Sequence, residues 1–136
     1  MSRNKSKGTA ESHQKGMVGE GEFISFASKK GWHIYRGFDG HTPCDYIVDT
    51  GDDQGLLRVE VKRSESVQST NNNYYYVMAT KLDTSNFDYI FVSTDHGNYW
   101  IPSSECPTVT LSIKVHGDSY QRNITRPGKY ERYRVE

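Results

Sequence analysis

Apolar residues follow a helical spacing at the start of the chain and a strand spacing after it. From Met17 to Lys30 they recur at three- and four-residue steps, and a basic last turn ends at Gly31. Residues 1–14 are polar and basic and have few apolar anchors. The pattern therefore predicts a flexible basic N-terminus at 1–14, followed by one amphipathic helix.

Beyond this helix, alternating apolar and polar residues predict a series of short strands. The pattern predicts a three-strand meander in WHIYRG, CDYIVDT and LLRVEVKR, with a turn at GDDQG. It also predicts a later hairpin formed by DYIFVST and YWIP, a strand or short buried segment in NYYYVMAT, and a last strand in TVTLSIKV. We expect a polar loop in SESVQSTNNN and a loop or helical turn in KLDTSNF.

Length and composition fit one globular domain. The chain has 136 residues, of which 34% are hydrophobic, and its ten tyrosines and five phenylalanines argue against disorder. Together with the element pattern, this predicts an α/β (α+β) domain at 15–115 with a basic C-terminal tail at 116–136.

The net charge is zero, but the charges are unevenly distributed. Both ends of the chain are basic, whereas the segment 39–60 holds six carboxylates and a single arginine, Arg58. Such an acidic middle can attract a divalent cation while the basic ends contact phosphate. A polar hairpin between solvated tails would produce the same distribution, so charge alone leaves both interpretations open.

From the apolar pattern and the cysteine positions we expect neither a membrane span, nor a signal peptide, nor a cysteine framework. No stretch approaches the roughly 20 apolar residues of a spanning helix, so we expect a cytoplasmic location and no membrane partner. Cys44 and Cys106 lie far apart and outside any C-x-x-C spacing. They are interpreted as inert thiols rather than as a disulfide or a zinc site.

Three residues with catalytic chemistry fall on the second and third predicted strands. A period of two places Glu60 and Lys62 on the same face of LLRVEVKR. Antiparallel pairing of 45–49 with 58–62 would bring Asp45 beside them. Two carboxylates and an ammonium suit phosphodiester hydrolysis, because Mg²⁺ prefers oxygen ligands and a cation can orient the attacking water. Glu20 faces the core side of the predicted helix and needs a partner there, such as a metal or Lys62.

This arrangement resembles the PD-(D/E)XK nucleases, in which a helix with an acidic residue precedes a β-hairpin bearing D…(D/E)-x-K. Here KGMVGEGEF supplies Glu20, PCDYIVD places Asp45 at the P-D element with Cys44 inserted after Pro43, and LRVEVKR contains Glu60-Val61-Lys62. The later FDYIFVST, YWIP and SSE are similar to small endonucleases akin to group I intron homing enzymes. The resemblance implies a restriction-endonuclease-like core, a mixed β-sheet of about five strands flanked by helices.

The resemblance also implies an activity and a cofactor. Asp45, Glu60 and the Val61 carbonyl would hold Mg²⁺, for which Mn²⁺ can substitute, and Glu20 would add a further ligand. Lys62 would position the water that hydrolyses DNA. Because one such site cuts one strand, we expect a homodimer or homotetramer. The resemblance places the protein in a prokaryote or a phage.

Three functions remain open at this level. The pattern is compatible with a site-specific endonuclease of homing or restriction type, with a Holliday junction resolvase that binds branched DNA, and with a non-catalytic nucleic-acid-binding module. Tyr74, Tyr75 and Tyr76 could stack on bases or belong to the core. Candidate contacts to double-stranded or branched DNA are Lys15, Arg36, Arg63, Ser64, Gln68, Arg122 and Arg126.

Overall fold

The computed structural model describes residues 2–38, 41–70, 73–78, 82–108, 110–115 and 128–135. Within these ranges the chain forms one α-helix, two short 3₁₀ turns (Ser103–Glu105 and Glu131–Tyr133) and nine strands. The helix is α1 (Ser2–Lys29), and the strands are β1 (His33–Arg36), β2 (Tyr46–Asp49), β3 (Leu56–Arg63), β4 (Val67–Thr70), β5 (Asn73–Met78), β6 (Tyr89–Thr94), β7 (Gly97–Pro102), β8 (Leu111–Lys114) and β9 (Arg134–Val135).

The strands form two sheets. The larger sheet has the order β1-β2-β3-β6-β7-β9, in which β3 and β6 are parallel and the other neighbours are antiparallel. The smaller sheet has the order β4-β5-β8 and is antiparallel throughout. The prediction of a mixed sheet is confirmed, although the sheet has six strands rather than about five.

One face of the larger sheet packs against α1. Phe23, Phe26 and Ala27 of the helix are buried against a cluster that includes Val59 and Phe91 of the sheet. Burying an aromatic side chain of this size stabilises the fold by roughly 1.5–3 kcal/mol. The apolar spacing in the second half of α1 therefore fixes which side of the helix meets the sheet.

The opposite face of the larger sheet is only partly covered. The smaller sheet packs on β6 and β7 and forms a second core cluster, of Tyr76, Met78, Leu82, Phe87, Ile90, Val92, Tyr99, Ile101, Leu111, Ile113, Val115 and Tyr130. On the same face, Tyr35 of β1, Ile47 of β2 and Arg58 of β3 are exposed. In the described ranges, a small sheet thus takes the place of the second helical layer that the resemblance implied, and the β1-β2-β3 half stays accessible.

The β2-β3 hairpin has a different register from the one predicted, but the same side-chain faces. Tyr46 pairs with Val59 and Asp49 with Leu56, whereas the sequence predicted pairing of 45–49 with 58–62. The two registers differ by an even number of residues, so each side chain stays on its predicted face. Gly51 and Gly55 have φ of 73° and 63°, a conformation that favours glycine, which explains why the turn forms at GDDQG.

The helix is longer than predicted. It begins at Ser2 rather than near Met17, and the side chains of residues 10–14 are exposed. Polar residues without a proline are compatible with helix even where no apolar stripe marks it, so the apolar pattern detected only the packed half. In the described part of the chain, no helix has the length and apolarity to cross a membrane.

Two further predictions differ from the structure. Residues 67–70, predicted as part of a polar loop, form β4, because pairing with β5 uses main-chain hydrogen bonds that do not require apolar side chains. The tail expected at 116–136 rejoins the fold at its end, where Tyr130 is buried and β9 pairs with β7. A single aromatic anchor and a two-residue strand leave too little periodicity to be recognised in the sequence.

The two cysteines are free thiols, as predicted. Cys44 is buried, and burial raises the pKa of its thiol. Burial raises the pKa of Cys106 to about 11. A thiol with a raised pKa carries little thiolate at neutral pH, which agrees with the interpretation of both cysteines as inert.

Candidate active site

Asp45 lies at an irregularity in the β2-β3 pairing. The register opposes Tyr46 to Val59, yet the amide of Asp45 also donates to the Val59 carbonyl at 3.0 Å. Two consecutive residues thus face one residue of β3, which is a β-bulge, a feature common beside active sites. The Asp45 carboxylate accepts a hydrogen bond from the Val61 amide at 2.8 Å, so the bulge holds this carboxylate against β3.

Glu60 and Lys62 lie on the accessible face of β3, as the period of two predicted. Both side chains are half-buried. Burial raises the pKa of Glu60 to about 8; a hydrogen bond to Asp45 and the charge of Asp45 add to the rise, and the Lys62 ammonium opposes it. The structure therefore brings Asp45, Glu60 and Lys62 together, and their charges act on one another.

Glu20 interacts with other residues than these three. The Tyr46 hydroxyl donates to its carboxylate at 2.6 Å, and the Arg36 guanidinium lies 3.7 Å from the same oxygen. Burial and the bond to Glu20 raise the pKa of Tyr46 to about 12. Since Tyr46 follows Asp45 directly, Glu20 restrains the residue next to the bulge. No sequence signal pairs Glu20 with Tyr46, because the two are far apart along the chain.

Arg63 was a candidate DNA contact, but the structure places it inside an ion-pair cluster. Its side chain is only 6% exposed, and its guanidinium contacts Glu22 at 3.5 Å, Glu65 at 3.0 Å and Asp95 at 2.5 Å. It also donates to the Ser93 hydroxyl at 2.8 Å. These partners come from α1, from the residues after β3 and from the β6-β7 turn, so no local spacing predicts the cluster.

Ser64 is also directed away from solvent. It is 2% exposed, and its hydroxyl donates to the Val77 carbonyl at 3.2 Å. A buried hydroxyl that is already hydrogen-bonded has little capacity to contact phosphate. Arg63 and Ser64 both lie along a cleft that Lys62 also lines, and their contacts to DNA stay predictions; in the structure their side chains have these internal partners.

The other candidate DNA contacts lie in different parts of the structure. Lys15 and Gln68 line a cleft of about 490 Å³ together with Lys62. Arg36 is 72% exposed at the end of β1 and pairs with Glu20. Arg122 and Arg126 lie outside the described residues. Among the described residues that line the cleft, none is an aspartate or a glutamate. This surface suits an anionic chain such as a phosphate backbone.

The donor set fits a divalent cation. Among the described residues, no three His, Cys, Asp or Glu side chains converge, so the side-chain ligands would be Asp45 and Glu60. A cation would offset the negative charge of Asp45, which together with burial raises the pKa of Glu60. The amide and carbonyl of one strand residue point to the same side, so the Val61 carbonyl faces the side of Asp45. Mg²⁺ is commonly bound by one or two carboxylates with waters completing its shell.

The raised pKa of Glu60 predicts how stability without metal depends on pH. The pKa of Glu60 in the folded protein, about 8, exceeds its value in the unfolded chain. Its contribution to the free energy of unfolding is therefore fully present at acidic pH and is lost as pH rises toward and through 8. At pH 9 we expect the free energy of unfolding of Glu60→Gln to exceed that of wild type by about 1–3 kcal/mol, after discounting for solvent screening at a half-buried site.

Urea unfolding of the metal-free protein between pH 5 and 9 would test this expectation. The exposed Glu105→Gln provides a matched control, because its carboxylate lies outside the site. Equal stability of Glu60→Gln and wild type at both ends of this range would contradict the raised pKa of Glu60.

Comparison with known proteins supports the fold. No protein-family model matches the chain, and no curated protein matches it in sequence. The structure of a bacterial homing endonuclease, I-Ssp6803I, matches with a TM-score of 0.65 and 21% identity, over 90% of this chain and 86% of that one. Hjc, a Holliday junction resolvase from Archaeoglobus fulgidus, gives a TM-score of 0.49 and 18% identity, over 74% and 84%. The first similarity confirms the predicted fold. The TM-score of the second is too low to add support.

Proposed function

We propose that this protein is a metal-dependent DNA endonuclease that hydrolyses phosphodiester bonds at specific sites, of homing or restriction type. The observation that carries the proposal is the convergence of Asp45, Glu60 and Lys62 on the accessible half of the larger sheet. The fold similarity to a homing endonuclease supports it. A module that only bound DNA would have no use for two adjacent carboxylates beside a lysine.

Each residue has a defined task in this proposal. Asp45, Glu60 and the Val61 carbonyl would hold Mg²⁺ or Mn²⁺. When bound, the ion supplies Lewis acidity and lowers the pKa of a coordinated water. The Lys62 ammonium orients the attacking water and offsets negative charge that develops on the phosphate. Glu20 acts indirectly, since it holds Tyr46 beside the bulge that positions Asp45.

The cleft is the expected binding surface for the DNA substrate. Among the described residues of its wall, the charged ones are Lys15, Lys62 and Arg63, and this suits the backbone of double-stranded DNA. One catalytic centre accommodates one scissile phosphate, so cutting both strands requires a homodimer or a homotetramer. The expected place of action is the cytoplasm of a prokaryotic or phage-infected cell.

Cleavage of supercoiled plasmid, genomic DNA and a synthetic four-way junction would test the proposal. We expect wild-type protein to cut DNA only when Mg²⁺ or Mn²⁺ is present, and Asp45→Asn to be inactive because a metal ligand is lost. Asp53→Asn, in the exposed β2-β3 turn, is the matched control and should cut like wild type. Cleavage by Asp45→Asn at the wild-type rate would overturn the site, and preference for the junction would indicate a resolvase.

A further inference from the structure

The smaller sheet has two unlike faces. Its core face carries Tyr76, Met78 and other apolar residues that pack on β6 and β7. The register places Gln68, Tyr75 and Lys114 side by side in one row across β4, β5 and β8 on the other face. The three consecutive tyrosines therefore have different environments, with Tyr76 in the core and Tyr75 turned outward.

The outward face has an unusual composition for this protein. The strands β4, β5 and β8 contain no aspartate or glutamate, although the chain has 17 such residues. The outward row instead presents an amide, a phenol and an ammonium, and Ser112 adds an exposed hydroxyl in the next row. Carboxylates would repel DNA, whereas amide and hydroxyl groups can both donate to and accept from base edges.

This face is continuous with the proposed catalytic cleft. Ser66, Gln68 and Val77 line the same cleft as Lys62. Gln68 follows Lys62 by six residues, so their Cα atoms lie at most about 20 Å apart. That distance is shorter than one helical turn of DNA, roughly 34 Å. A duplex that has its scissile phosphate at Lys62 and runs along this cleft would therefore reach Gln68 within one turn.

We propose that the outward face of β4-β5-β8 reads base pairs next to the cut, with Gln68 and Tyr75 as specificity-determining residues. This inference rests on the proposed nuclease function and assigns the substrate recognition of the same site. The major groove admits a two-stranded ribbon such as β4-β5, and a glutamine amide there forms paired hydrogen bonds with adenine. Lys15 and Lys62 contact phosphate and carry no sequence information.

Selection from a library of randomised DNA duplexes would test this role by binding alone. Ca²⁺ replaces Mg²⁺ in the selection, and the enriched sequences of wild type and Gln68→Ala are compared. We expect wild type to enrich a defined motif and Gln68→Ala to lose discrimination at one or two base pairs by about 5- to 150-fold. Gln54→Ala, an exposed glutamine in the β2-β3 turn, should enrich the wild-type motif.

Two further variants test whether Tyr75 and Gln68 recognise base pairs. Tyr75→Phe should change discrimination at a position next to the one that Gln68 reads, because the two residues are cross-strand partners. Gln68→Glu keeps the side-chain size but adds a carboxylate, and should weaken binding to every duplex. The inference is overturned if wild type enriches no motif, or if Gln68→Ala retains full discrimination at every position.

The outcomes separate this inference from the nuclease proposal. Cleavage is measured independently on the enriched duplex with Mg²⁺. Sequence-specific binding that depends on Gln68, without cleavage, supports the reading face and contradicts the nuclease. Cleavage with Mg²⁺ that proceeds without any sequence preference, or with a preference unchanged in Gln68→Ala, overturns the reading face and leaves the nuclease standing.

Discussion

Replacing Lys62 by alanine is expected to reduce the rate of DNA cleavage by about 10²- to 10⁴-fold. This is the range observed when one group that stabilises transition-state charge or transfers a proton is removed. The loss has a second component here. The Lys62 ammonium opposes the rise in the pKa of Glu60, so the variant should keep Glu60 protonated to a higher pH. A protonated Glu60 is a poorer metal ligand.

Single-turnover cleavage at saturating DNA would measure this effect apart from binding. Lys29→Ala, an exposed lysine in the last turn of α1, is the control and should cleave at the wild-type rate. Part of the Lys62→Ala deficit should be recovered at higher pH and higher Mg²⁺, where Glu60 is ionised. A variant that cleaves within a factor of two of wild type would remove Lys62 from the mechanism.

Arg63→Ala is expected to lower the free energy of unfolding by about 2–4 kcal/mol. The guanidinium is 6% exposed and contacts carboxylates from three separate parts of the fold. Without it, Glu22, Glu65 and Asp95 would repel one another around a cavity. The expected loss is below that of a fully buried ion pair, because these carboxylates are 35%, 50% and 64% exposed and water screens them.

Chemical unfolding in urea would measure this loss. Arg63→Lys should be intermediate, because an ammonium keeps the charge but cannot reproduce the geometry of the guanidinium with three carboxylates. Arg132→Ala is a suitable control, since Arg132 is exposed and lies over the Tyr133 ring at 4.8 Å. If Arg63→Ala and the control differ from wild type by the same small amount, Arg63 does not hold these elements together.

The Arg63 cluster also matters for the catalytic residues. It fixes the end of β3 immediately after Lys62, and Gly19 of α1 packs against it so closely that an added Cβ would lie 3.1 Å from the Arg63 Cβ. Close approach of the helix therefore depends on glycine at this position. The cluster and this contact together restrain the strand that carries Glu60 and Lys62.

Local physical rules determined the core of the site from the sequence alone. The alternation along β3 placed Glu60 and Lys62 on one face, and the GDDQG turn set β2 against β3. Because side chains alternate with a period of two, the error in the predicted register left Asp45 beside Glu60. The apolar spacing of the second half of α1 likewise identified the helix face that meets the sheet.

Only the tertiary structure decided which polar residues serve the site. Arg63 and Gln68 look alike in the sequence as polar residues near the motif, and both line the cleft, yet carboxylates enclose the Arg63 side chain whereas Gln68 is exposed. The Glu20 carboxylate accepts a hydrogen bond from Tyr46 and pairs with Arg36. A second sheet covers part of the face opposite α1. Ion pairs, burial and sheet pairing between distant segments depend on spatial proximity, which local spacing in a sequence does not encode.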